Sequence, residues 1–178
     1  MSVPEVTASA PATVSNLGPG FDLLGLALAE PRDRVTARLV GPPGIRIVRI
    51  EGDGGRLPLE ADRNTAGIAA TATLARAGID AGIELALEKG MPIGSGLGSS
   101  AASAAAAAYA VNALVGSPLP KHELVAACLD AEAAVSGRHA DNIAPSVLGG
   151  LVLVRSTDPL EILRLPVPDG LEVVVVKP

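Results

Sequence analysis

Between Met91 and Ser103 the chain reads MPIGSGLGSSAAS, with glycines at 94, 96 and 98, then paired serines, then a run of alanine. A strand-like segment leads into the glycines and the alanine run makes a helix. Such a turn bares several backbone N–H groups in a concavity and aims the positive end of the helix at the same point, which suits a phosphate. Side chains at the glycine positions would keep phosphate oxygens from the amides. The serine hydroxyls can add a donor to phosphate or an oxygen to magnesium. No Gly-Lys-Ser/Thr closes the loop, so it is not the Walker pattern, and it is not a dinucleotide fingerprint. The alternative is structural: the glycines permit a tight strand-to-helix turn, and alanine packs closely and forms helix well.

Glu132 is the second informative residue. At about 100° per residue, with Leu124 at zero, Val135 falls near about 20°, Cys128 about 40°, Val125 about 100° and Leu129 about 140°. Glu132 falls near about 80°, inside that apolar arc, whereas Glu123 and Asp130 lie on the far side. A carboxylate on a buried face requires a cation or convergent donors. One reading is a magnesium ligand opposite the glycine loop; the other is a pocket-edge glutamate paired with arginine or reaching water. By the same arc, Cys128 is a packing residue and not a nucleophile.

The segment SGRHADNIAPSVLGG (136–150) carries Arg138, His139, Asp141 and Asn142 in a loop opened by Gly137. Four polar side chains able to face one cleft fit recognition of a charged, hydrogen-bonding metabolite. Equally, Asp141 could cap a helix and His139 be an ordinary surface histidine. No metal-ligand spacing surrounds His139 or His122, so zinc is not expected. Asn16 and Asp22 lie in an early stretch, PATVSNLGPGFDLLGLAL, punctuated by proline and glycine. Asn16 fits an Asx-turn, and Asp22 can either bond nearby amides or present a carboxylate to an ammonium group.

The elements that must position these groups follow from periodicity. Val3–Ser9, Leu23–Ala29, Arg34–Val40 and Ile45–Ile50 read as strands, the last two joined by a Gly-Pro-Pro-Gly turn. Asn64 or Asp62 caps a helix that runs to about Arg76 and stops at Gly78. Ile83, Leu85 and Leu87 alternate with polar or small residues in a half-buried strand. The alanine helix runs to about Gly116, and Glu123–Ser136 forms another. Leu151–Arg155, Ile162–Leu165 and Val173–Val176 are further strands. The pattern predicts an α+β fold, a two-layer mixed sheet packed with helices. A chain ending straight after a central strand at Val173–Val176 is expected to be truncated.

With 178 residues the chain can bury one good core. Hydrophobic residues make up 48% and aromatics only 1%, so that core must be built from Ala, Val, Leu and Ile. Net charge of −5 argues against a nucleic-acid partner. A single cysteine excludes an internal disulfide and favours a reducing compartment. The N-terminus lacks a basic segment followed by an apolar one, and the alanine run fits a buried helix better than a membrane span. No membrane contact and a cytoplasmic location are expected.

Taken together, PATVSNLGPGFDLLGLAL, MPIGSGLGSSAAS and HADNIAPSVLGG, in that order and spacing, resemble the homoserine kinases of the GHMP superfamily. The resemblance covers essentially the whole chain. Pro-x-x-x-Gly-Leu-Gly-Ser-Ser-Ala marks GHMP kinases generally; Asn-Leu-Gly-Pro-Gly-Phe-Asp and His-x-Asp-Asn point to homoserine kinases among them. It implies a ribosomal protein S5 domain 2-like fold and residues 1–178 as an N-terminal ATP-binding domain, cut before a C-terminal domain. The implied reaction is ATP-dependent phosphorylation of the L-homoserine hydroxyl, on the way to threonine, with ATP and Mg2+ required. Asn16, Asp22, His139 and Asn142 would line the homoserine site, with Asp22 on the substrate ammonium and Asn142 near the reacting hydroxyl. Pro92, Ile93, Gly94, Ser95, Gly96, Leu97, Gly98, Ser99 and Ser100 would wrap the triphosphate. Ser100, with Ser99 as the alternative, would hold magnesium together with Glu132. Asn64, Thr65 and Lys89 would meet the nucleoside end. Asn142, Glu132 and Ser100 would then be the catalytic residues, with no general base assigned. The spacing from Glu132 to His139 is one residue tighter than in some members. The arginines that grip substrate carboxylate and phosphate have no match, so residues 1–178 alone are expected to have little or no kinase activity. The resemblance allows a homodimer. The rival readings are another GHMP kinase acting on mevalonate or a sugar, or a non-catalytic α+β binding domain.

Overall fold

The computed structural model describes residues 4–135 and 137–176. Strands β1 (Glu5–Ser15), β2 (Leu24–Val40) and β3 (Gly44–Glu51) come first, then helix α1 (Thr65–Ala77), strand β4 (Gly82–Glu88) and helix α2 (Ser99–Leu114). Helices α3 (Lys121–Ala133) and α4 (Ile143–Leu148) and strands β5 (Leu151–Thr157) and β6 (Leu160–Leu165) complete it. The sheet is mixed, ordered β3-β4-β2-β5-β6, with β1 antiparallel to β2; among the described residues only β3 and β4 run parallel. The α+β architecture expected from periodicity is therefore present.

Several boundaries differ from the sequence reading, each for a physical reason. The early Pro/Gly stretch is mostly strand: β1 continues through Pro11 to Ser15, leaving 16–23 as the loop. Leu23–Ala29 and Arg34–Val40 are one strand, not two. Pro11 pairs with Arg32 and Thr13 with Ala27, so a wide bulge at 28–31 absorbs Pro31 without breaking the ladder. The two strands flanking the Gly-Pro-Pro-Gly turn do not pair with each other, because β4 is inserted between them. Residues 171–176 form no strand. They line a groove with Leu26–Glu30 of β2 without pairing to it, and Val174 is left 86% exposed. Val3 lies outside the described residues.

Helix α1 follows the sequence closely. Asn64 Oδ1 accepts from Ala66 N at 3.0 Å, and Gly78 terminates the helix at φ 66°. Helix α2 carries no charge and its alanines 101, 102, 104–108 and 110 are all buried. It lies on β1 and β2, is flanked by α1 and α3, and touches α4. Only a side chain as small as alanine lets all these neighbours approach one helix. Among the described residues no helix is long and apolar enough to cross a membrane.

Candidate active site

The loop joining β4 to α2 holds Gly94, Gly96 and Gly98 at φ 74°, 74° and 64°, a region that residues with a Cβ rarely adopt. Gly98 is also forced by contact: a methyl there would sit 2.1 Å from Thr13 Oγ1 and 2.9 Å from Asn142 Oδ1. As the N-cap of α2, Gly98 supplies no side-chain acceptor, so the first-turn amides keep their donors for a ligand. Ser95 Oγ and Ser99 Oγ are buried with no hydrogen-bond partner. In a native interior such orphaned hydroxyls are uncommon, and an anion with many acceptor oxygens would satisfy them.

A cleft of about 320 Å³ opens at this loop, lined by Ile93–Gly96 and Gly98–Ser100 together with Asn64, Thr65 and Lys89. The loop and the three more distant residues named from the sequence therefore meet in one place. Pro92 and Leu97 do not line it. Pro92 is exposed, and Leu97 packs inward, its carbonyl accepting from Thr13 N at 3.0 Å. Asn64 spends its amide on its own fold, capping α1 and donating to Pro58 O at 2.9 Å. Leu57, Pro58, Arg63, Ser103 and Val135 also line the cleft and carried no sequence motif.

Ser100 Oγ donates to Glu132 Oε2 at 3.4 Å, so the two residues expected to share a cation are neighbours. Thr65 Oγ1 bonds Ser100 O at 3.2 Å, linking α1 to the same turn. Glu132 sits in the last turn of α3, half-buried, where the negative helix end disfavours a carboxylate. The helix stops at Ala133, three residues short of the expected end, so Val135 is 58% exposed and not part of the packed arc. Ser136 lies outside the described residues. Cys128 is fully buried, as expected, and burial pushes its thiol well above the ordinary cysteine range.

The Lys89 ammonium turns beneath the loop. It pairs with Asp33 and donates to Ser99 O at 3.0 Å and Ser103 Oγ at 2.5 Å. Burial pushes it below the ordinary lysine value, and Asp33 opposes that fall. Asp33 was legible in principle, since β2 places it in alternation with the buried Val35 and Ala37.

The polar residues near the two ends of the chain converge on the other side of Gly98. Asn16, Leu17 and Asp22 all take positive φ (68°, 44° and 58°), backbone strain of the kind that accumulates at functional loops. Asn16 Oδ1 accepts from Asp22 N at 2.9 Å, closing the loop on itself. His139 Nδ1 lies 3.7 Å from Asp22 Oδ2. Asn142 does not cap α4; its Oδ1 accepts from Thr13 Oγ1 at 2.8 Å. Thr13, fully buried, thus joins the glycine loop to Asn142. Arg138 instead turns away to Asp130.

The model for the N-terminal domain of GHMP kinases matches residues 64–150, the span from the α1 cap through the glycine loop to the glycines after α4. Over those residues the chain is similar to the GHMP kinases. It is 51% identical to a homoserine kinase of Arabidopsis thaliana over 97% of its own length and 48% of the relative's. A crystal structure of homoserine kinase from Cytophaga hutchinsonii superposes with a TM-score of 0.89 at 47% identity, covering 94% of this chain and 54% of that one. Mevalonate kinase from Methanococcus jannaschii shares the fold, with a TM-score of 0.70 at 16% identity over 91% of this chain and 56% of that one. The chain spans about half the length of the curated relatives it matches.

Proposed function

We propose that residues 1–178 form the ATP-binding domain of a kinase that phosphorylates the L-homoserine hydroxyl, giving O-phospho-L-homoserine and ADP in threonine synthesis. The observation that carries the reading is the contact at Gly98. There the anion-ready loop abuts Asn142 through Thr13, so a phosphate donor and a polar acceptor can meet. The identity of the acceptor rests on the likeness to homoserine kinases and on Asp22, a half-exposed carboxylate suited to an ammonium group.

In this reading the loop amides from Gly94 to Ser100 hold the phosphate oxygens, and the Ser95 and Ser99 hydroxyls gain the partners they lack. Ser100 and Glu132 present the hard oxygen ligands that magnesium prefers, and would hold that ion, which when bound would supply charge neutralisation. Asn64 and Thr65 shape the nucleoside end. Asp22 orients homoserine by its ammonium group, Asn16 and His139 flank it, and Asn142 holds the hydroxyl beside the γ-phosphoryl group. That hydroxyl oxygen forms the new bond to phosphorus as the bond to the ADP oxygen breaks, and its proton passes to the transferred phosphoryl group. Alignment and charge neutralisation supply the rate enhancement.

The test is thermal stabilisation of the 178-residue chain by ligands. Mg-ATP should raise the melting temperature and ATP with a chelator should do so much less. With Mg-ADP present, homoserine should add a further rise, mevalonate and galactose none, and D22N should abolish the homoserine effect alone. Stabilisation by ATP that is indifferent to magnesium, or a homoserine response that survives D22N, would refute the assignment.

A further inference from the structure

The Lys89–Asp33 pair lies under the phosphate loop with side chains 2% and 1% exposed. Each partner holds a different part of the loop's foundation. Lys89 reaches Ser99 O, in the first turn of α2, and Ser103 Oγ, one turn further on. Asp33 accepts from Gly90 N at 2.9 Å, where the chain leaves β4, and from Ser103 Oγ at 2.8 Å. Both ends of the loop are thereby tied to β2 through a single ion pair.

The charge balance matters as much as the bonds. A lysine alone in this place would add a full positive charge behind the phosphate site; the carboxylate beside it cancels most of that. We infer that Lys89 and Asp33 are positioning residues, a neutral clamp that fixes the loop while leaving its attraction for anions to backbone amides and a bound cation. This rests on the phosphate reading of the loop. It also separates this loop physically from lysine-dependent phosphate loops, because here the lysine spends its donors on protein groups.

Two consequences follow from the charge sign that mere packing would not produce. K89M removes the clamp and leaves the Asp33 carboxylate facing the phosphates, whereas the D33N/K89M pair removes the clamp without leaving a charge. The 178-residue chain and its variants are titrated with Mg-ATP, Mg-ADP and AMP. K89M should weaken Mg-ATP binding about tenfold or more, as for a unit charge acting through an effective dielectric of about 20. Adding D33N should recover part of that loss, with the recovery largest for ATP, smaller for ADP and least for AMP. D33N alone keeps the lysine's bonds to Ser99 and Ser103 and should bind Mg-ATP at least as tightly as wild type even with a lower melting temperature, so the comparison stands if K89M fails to fold.

Recovery equal for all three nucleotides, no recovery in the double variant, or weaker Mg-ATP binding by D33N would overturn the clamp. If the wild-type chain binds none of the three, the phosphate reading and the clamp fall together. If it binds them and only the graded recovery is missing, the clamp alone is refuted.

Discussion

Replacing Gly98 with alanine should damage both the fold and the proposed meeting point of nucleotide and acceptor, and the structure allows the two costs to be separated. Gly98 lies at φ 64°, where an L side chain costs about 1–2 kcal/mol. The added methyl would also stand 2.1 Å from Thr13 Oγ1, far inside contact distance, and relieving such overpacking typically costs about 1–3 kcal/mol. Gly96 is the internal control, because at φ 74° it bears the same backbone penalty but faces open space. G96A should therefore lose about 1–2 kcal/mol and G98A about 2–5 kcal/mol in total. For a chain of this size that places G98A several degrees below G96A, at about 2–4 °C per kcal/mol. Scanning calorimetry of the two variants measures the difference. Thr13 and Asn142 must yield in G98A, so acceptor stabilisation should fall along with Tm. Equal melting temperatures for the two variants would show that the Thr13–Asn142 contact does not restrain the loop, and the reasoning would fail.

Thr13→Val removes the donor to Asn142 Oδ1 while keeping the shape, and should cost about 1–3 kcal/mol in chemical denaturation while loosening homoserine binding more than Mg-ATP binding. Asn64→Ala should cost about 0.5–2 kcal/mol through the lost α1 cap, and should also weaken nucleotide binding, since the same amide anchors Pro58 at the cleft wall. Asp53 is held below the ordinary carboxylate range by the Leu57 and Gly55 amides. A group depressed in the folded state stabilises above its unfolded pKa and loses that contribution as pH falls through the folded value. The stability gap between wild type and D53N should accordingly be present at neutral pH and close only in strong acid, a trend that pH-dependent thermal melts would reveal.

Much of the glycine-loop end of the candidate site was legible because its determinants are local. Asn64 and Gly78 bracket α1 in the sequence as they do in space, and the glycine loop needs nothing beyond its own backbone angles to be recognised. Glu132 was found by its place on a helical wheel, and Ser100 proves to be its neighbour. What escaped depends on pairings between distant segments. The turn at 41–44 suggests two adjacent strands, yet β4, reached only after a helix, comes between them. Helix α4 entered the sequence reading only as the alternative in which Asp141 caps a helix; Pro145 is tolerated there because in the first turn of a helix its missing N–H costs nothing. Thr13 gave no signal, since a buried threonine in a strand is ordinary until its partner is known. Asp33 could have been found: a carboxylate in register with two inward aliphatics poses the same question as Glu132, asked at a period of two.

Helix α2 has a consequence for how this protein tolerates genetic change. Alanine enclosed on every side has no room to gain a methyl group, and losing its own would leave glycine in a helix interior, so neither a larger nor a smaller residue is neutral there. A comprehensive substitution scan should therefore show a barren stretch from Ala101 to Val111. Its harm would spread to nucleotide affinity, because a displaced α2 takes the mouth of the phosphate loop with it.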